Sequence, residues 1–398
     1  MPDKSLHLAV ALDGAGWHPA AWRDLPGPGE ELFRARYWAA LVAEAERGLL
    51  DFVTFEDGFG LQSTLPDGPD GRGDQVRGRL DAVLLASRLA PLTTRIGLVP
   101  TATTTHTEPF HVAIGIASLD HVSGGRAGWR PQVSPWSTDA ALLGRRTFPE
   151  LRPDALDELQ GHVEDLFAEA ADAVEVARRL WDSWDDDAEI RDVATGRFID
   201  RDKLHYIDFE GRFFDVKGPS ITPRSPQGQP VVASLVHDVL PYAFAARSSD
   251  VVFVTPHDAA EAAAIVGRVR EAEAGRTGES LRIFADLVVF VDPEPGAAAA
   301  RKARLDELDG AELASDALVF AGTPAELAGL LLEWRAAGIE GYRLRPGALP
   351  YDLKGVTRGL VPHLQEAGAF RLRYDAVTLR GRLGLPRPAG RYAEEGAR

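Results

Sequence analysis

Cysteine is absent from all 398 residues, which excludes disulfides, thiolate catalysis and Cys-ligated zinc or iron–sulfur centres. Positive charge is in deficit, with 44 Lys and Arg against 60 Asp and Glu and a net charge of −16. Nucleic acids and anionic membranes are polyanions that a basic footprint would have to neutralise, so neither is expected as a partner. No run of about 18 apolar residues occurs, so no membrane span is expected. The opening Met1-Pro-Asp-Lys-Ser5 has no basic n-region and no long apolar h-region, and it leads straight into the alternating run from Leu6 to Leu12. The cytoplasm is therefore the expected compartment. Repeats of solenoid length and low-complexity tracts are missing. So are the short signatures of several chemistries. No Gly-x-Gly-x-x-Gly follows a strand, and there is no P-loop, Gly-x-Ser-x-Gly or His-Glu-x-x-His, so a Rossmann cofactor, a serine nucleophile and a metal all lack support.

What is present is an ordinary globular composition, 45% apolar and 26% charged, long enough to bury a large core. Short apolar runs alternate with helical patterns, the signature of repeated βα units on a parallel sheet. The runs read as strands are residues 6–13, 52–56, 96–102, 127–134, 230–235, 251–255, 283–291 and 341–345. Eight is the number that closes a (β/α)8 TIM barrel. Helices are expected at 35–47, 80–89, 154–184 and 323–338, the last opening on Thr323-Pro-Ala-Glu326, a cap, a first-turn proline and a capping-box glutamate. The chain reads as one domain over residues 1–398. Residues 185–224, between the fourth and fifth strands, are too long for an ordinary connection and are expected to cross the barrel mouth as an insertion. A C-terminal extension ends in the polar arm 386–398.

In such a barrel the working groups sit at the C-terminal ends of the strands. That rule selects Asp13, His18, Glu56, Asp57, the run from Thr101 to His106, Trp129 to Ser134, Ser234 to Asp238 and Arg343 to Arg345. Asp57 reads either as a loop or helix-cap acid before Gly58 or as a hydrogen-bond acceptor for a ligand. Thr103 reads either as simple β propensity or as a hydroxyl aimed at a ligand. His18, in Gly16-Trp-His-Pro-Ala-Ala-Trp22, reads either as a loop-packing residue or as a group polarising a substrate. The tryptophans read as core or pocket lining.

One stretch is far more specific. Glu108-Pro-Phe-His-Val-Ala-Ile-Gly-Ile-Ala-Ser-Leu-Asp-His-Val-Ser-Gly-Gly-Arg-Ala-Gly-Trp129 resembles, nearly letter for letter, the passage between strands three and four of the luciferase-like flavin monooxygenases. Leu180-Trp-Asp-Ser-Trp184, Gly211-Arg-Phe-Phe-Asp-Val-Lys-Gly-Pro219 and the segment Leu379 to Pro388 are similar to the branch containing nitrilotriacetate and dibenzothiophene-sulfone monooxygenases. The resemblance implies a two-component enzyme. FMNH2 from a separate flavin reductase would react with O2 to a C4a-peroxyflavin that oxygenates a small organic substrate. It implies His18 facing the substrate, and Asp57, Thr103, Trp129, Ser134, Phe167, His237 and Asp238 around the FMN, in a homodimer or a heterodimer with a homologue. Three positions depart from the family pattern: Arg130 stands for Asn, Phe167 for a phosphate-contacting Tyr, and Val236-His-Asp238 for a Gly-Ser-Ser-Pro phosphate run. Arg130 reads either as a compensating bidentate donor to the phosphate or as a side chain filling the flavin space. A non-catalytic companion barrel and an F420-dependent oxidoreductase are the other readings.

Overall fold

The computed structural model describes residues 5–25, 29–65, 67–150, 156–237 and 239–392. Eight parallel strands form the barrel: β1 (His7–Leu12), β2 (Phe52–Phe55), β3 (Gly97–Thr103), β4 (Gly128–Gln132), β5 (Val231–Leu235), β6 (Val251–Val254), β7 (Arg282–Val291) and β8 (Gly341–Pro346). Closure is direct, because β8 pairs with β7 on one side and with β1 on the other, His7 opposite Gly341 and Val10 opposite Leu344. Each of the eight expected strands is present. A further strand, Leu318–Gly322, was not expected; it runs beside the upper half of β7, where the shorter β6 has already ended.

Helices α1 (Ala35–Arg47), α2 (Ala82–Leu89), α3 (Pro109–Ser123), α4 (Ser137–Leu143), α5 (Leu156–Trp181), α6 (Val239–Ser248), α7 (Ala259–Ala272), α8 (Ala297–Asp309) and α9 (Pro324–Ala336) lie outside the sheet. Strand side chains alternate, so Leu8 and Val10 pack outward against Trp38, Leu41 and Trp334, while Ala9, Phe52, Phe253 and Phe284 fill the barrel. The expected Thr323 capping box opens α9. The lower end of the barrel is stoppered by Leu379, Leu383 and Leu385 of the C-terminal extension. The fit is close: a Cβ at Gly97 would lie 2.8 Å from Leu379.

Residues 185–224 do not cross the mouth. They connect the C-terminal end of α5 to the start of β5, so both ends of the connection lie on the N-terminal side of the sheet. Arg224 donates to Asp182 at 2.8 Å, His121 meets the Pro223 carbonyl at 3.1 Å, and Gln227 donates to Asp120. The hairpin with strands Phe209–Glu210 and Asp215–Val216 then packs on the outer faces of α3 and α5. The described part of the tail is strapped to the same side, Arg387 to Asp186 and the Tyr392 ring stacked 4.7 Å from His205. The ends of the insertion and the described part of the tail brace the face of the barrel opposite the site, while the hairpin runs up its side to Asp165, which Arg212 meets at 2.6 Å.

One buried acid ties the upper ends of β7 and β8. Asp352 accepts from the Val291 and Ala348 N–H groups at 2.8 and 2.7 Å and pairs with Arg301. Burial pushes its carboxyl up from 3.8 to about 6. The folded state therefore holds this proton more tightly than the unfolded chain does. Its contribution to stability is complete below about pH 3.8 and is lost as pH rises through about 6. Urea unfolding between pH 4 and 7 should show this decline, roughly 2–3 kcal/mol, and Asp352→Asn should flatten it.

Candidate active site

The inner wall changes character toward the mouth, from aromatic to charged. Asp286 lies opposite Arg343 in the register of β7 and β8. Arg343 donates to it through Nε at 2.8 Å, and Arg345 does so at 3.0 Å. Arg345 also reaches Asp316 at 2.6 Å and lies 4.7 Å over the Trp17 ring, while Arg343 lies 4.1 Å over Phe253. Glu56, at the end of β2, pairs with Arg130 and stands 3.5 Å from Arg343. Burial alone would raise the Glu56 and Asp286 carboxyls, but the surrounding guanidinium groups hold both below their usual range. Both acids are therefore carboxylates at neutral pH, and the layer is close to balanced in charge.

Beside this layer a cavity of about 570 Å³ opens between the ends of β2 and β3 and the starts of α2 and α3. Asp57, Phe59, Arg79, Thr101, Thr103 and His111 line it. The Asp57 carboxylate accepts from the Gly58 and Ala82 N–H groups at 2.8 Å each, so it fixes the entry to α2 and still borders the cavity. Burial raises its pKa. Arg79 is held by Asp13 at 2.7 Å. The loop-acid reading of Asp57 is seen in its bonds to Gly58 and Ala82, and the same side chain borders the cavity.

The other expected site residues are placed differently. Arg130 points toward β2 and β3, donating to Thr101 Oγ1 at 2.9 Å and pairing with Glu56. It is thereby turned away from β5. Trp129 faces the helix layer, its Nε1 donating to the Ala102 carbonyl at 3.1 Å and its ring edge-on to Trp181. Ser134 donates to Asp139 at 2.6 Å. Phe167 packs against Phe244 of α6 at 5.9 Å. His237 is exposed after β5. Asp238 lies outside the described residues.

His18 is buried, its Nδ1 accepts from the Ala20 N–H at 3.1 Å, and its Nε2 therefore carries the proton that meets Asp306 at 3.1 Å. Burial lowers its pKa, with Asp306 opposing. With both nitrogens engaged by the protein, the imidazole packs the first loop against α8 and does not present a free nitrogen to a substrate.

The segment that does cover the mouth is the β2–α2 connection, the described residues between 56 and 81. Asp67 accepts from the Ser137 and Thr138 N–H groups at 3.1 Å, Arg72 bonds Asp309 of α8 at 2.9 Å, and the Trp22 indole donates to the Asp74 carbonyl at 2.9 Å. A smaller cavity of about 170 Å³ lies under it, between Trp17, His18, Gln62 and Arg77. His106 belongs to the run picked out at the end of β3. It follows β3 with φ of 67°, its ring 4.8 Å from Phe148, and neither ring nitrogen has a partner among the described residues. Asp286 carried a legible signal, a lone acid within the apolar run of β7. Among the described residues no group of three or more His, Asp or Glu could hold a metal ion, and no helix is long and apolar enough to cross a membrane.

Known proteins share both this sequence and this architecture. Residues 15–341 match the sequence profile described as luciferase-like monooxygenase. The N-acetyl-S-(2-succino)cysteine monooxygenase of Bacillus subtilis (strain 168) is 30% identical, with 98% of this chain and 99% of that protein covered. Nitrilotriacetate monooxygenase component A of Aminobacter aminovorans is also 30% identical, with the same coverage. The alignment to the first is 455 residues long, more than this chain contains, so that relative carries segments without a counterpart here. Among solved structures, a riboflavin lyase with modified FMN and substrate riboflavin superposes with a TM-score of 0.82 at 26% identity, covering 99% of this chain and 100% of that one. The chain belongs to the luciferase-like monooxygenase family and is a flavin-dependent oxidoreductase.

Proposed function

We propose that this chain is the oxygenase of a two-component system, taking reduced FMN from a separate reductase and inserting oxygen from O2 into a small organic substrate. The observation that carries this reading is the cavity bounded by Asp57 and Thr103 at the ends of β2 and β3, within the usual size range for a small-molecule site. The ring end of a flavin fits these residues. Thr103 is buried and lines the cavity, and no hydrogen bond holds its hydroxyl among the described residues. Asp57 keeps lone pairs beyond the two N–H bonds that fix it. Among the described residues two contacts of the family kind are missing at the phosphate end, since Phe167 has no hydroxyl and Arg130 serves Glu56.

When bound, reduced flavin supplies the electrons that activate O2. The protein's part is to position and to shield. Thr103 orients the ring edge, Asp57 fixes the α2 entry beside it, and Arg79, held by Asp13, borders the same cavity. The mouth arginines are already paired, which favours an uncharged substrate. A companion barrel without catalytic activity is the second reading, favoured by the engagement of Arg130, Ser134 and His18 within the protein.

Anaerobic titration with reduced FMN separates the two. Saturable micromolar binding is expected for the enzyme, and Thr103→Val should weaken it about 2- to 10-fold, the loss of one neutral hydrogen bond. Absence of binding up to about 1 mM would leave the companion reading standing.

A further inference from the structure

A bound dianion draws its affinity from helix N-termini and from arginines with charge to spare. Among the described residues at this mouth, the arginines and most of the helix N-termini that flank the cavity are committed or short of a donor. The N-terminus of α2 is met by Asp57 and Asp81, which accept from Ala82 and Leu84 at 2.8 Å. That of α4 is met by Asp67, and that of α7 by Asp258, which accepts from Glu261 at 2.8 Å. The first residue of α3 is Pro109, without an N–H, and Pro241 removes a donor from the first turn of α6. In the chain, Asp238 comes directly before α6. The guanidinium groups are matched likewise: Arg79 by Asp13, Arg130 by Glu56, Arg343 by Asp286, and Arg345 by Asp286 and Asp316.

From this we infer that the site takes flavin by its ring and is indifferent to the 5′-phosphate, so that riboflavin binds as well as FMN. The inference rests on the proposed flavin site and concerns only which flavins it accepts. Each charge-assisted bond to a phosphate would contribute about tenfold or more in affinity. With no such bond the two dissociation constants should agree within about threefold. Screening should also leave FMN affinity unchanged within about twofold between about 0.05 and 0.5 M salt, since no long-range attraction to the dianion is in play.

The experiment is an anaerobic fluorescence titration of the full chain with reduced riboflavin and reduced FMN, repeated at both salt concentrations. Equal affinities with a flat salt response are the expected result. Tighter binding of FMN by about tenfold or more, falling with salt, overturns the inference and leaves the flavin site intact. Failure of both flavins to bind up to about 1 mM overturns the inference together with the flavin site itself.

Discussion

Replacing Asp286 with Ala should lower the free energy of unfolding by about 3–5 kcal/mol, because it strands two guanidinium groups inside the barrel. Arg343 and Arg345 are 1% and 2% exposed, so neither can recover its hydration by a small movement. Glu56 is 3.5 Å from Arg343 but already neutralises Arg130, and Asp316 reaches only Arg345. Burying charge is costly, and a balanced pair is often no better than an apolar replacement of similar volume. The triple variant Asp286→Leu, Arg343→Met, Arg345→Met should therefore recover most of the loss. Urea unfolding followed by tryptophan fluorescence measures both. A single-variant loss under about 1 kcal/mol would show that the arginines have another partner.

Trp129→Ala should cost a similar amount, about 3–5 kcal/mol, through loss of a large side chain and the cavity left behind. The indole is fully buried, bonded to the Ala102 carbonyl and edge-on to Trp181, whose own Nε1 donates to Ala113 at 2.9 Å. It links β4 to α5 and has no surface toward the mouth. The folded variant should keep its flavin affinity within about threefold. If flavin binding instead fell by more than about tenfold with stability unchanged, Trp129 would face the cofactor after all.

These two residues show what the sequence could and could not convey. The eight strands were legible because each is a short apolar run between turn signals, and the stretch from Glu108 to Trp129 is specific enough to name the family. Strand-end position also picked out Glu56, Asp57, Thr103, Arg343 and Arg345. Orientation was another matter. Trp129 and Arg130 are adjacent in a strand and must face opposite sides, yet both were assigned to the ligand. Alternation alone would have separated them. His18 needed Asp306, 288 residues away, to reveal its packing role. The lid needed Arg72–Asp309 and Asp67–Ser137. Pairings over such separations leave no periodic trace. Residues 185–224 were misplaced for a topological reason available beforehand, since both ends of a helix-to-strand connection lie on the N-terminal side. Strand Leu318–Gly322 is five residues long and half-exposed, beneath what an apolar run alone signals.

The most direct test of the central claim is hydrogen exchange of the full chain with and without saturating reduced flavin. If the ligand lies at the barrel mouth between β2 and β3, slowed exchange should concentrate at the ends of those strands, in residues 56–60 and 101–107, and along the 56–81 loop. Residues 185–205 and the described part of the tail, on the opposite face, should exchange as before. Protection confined to that opposite face, with the β2 and β3 ends unchanged, would contradict the account.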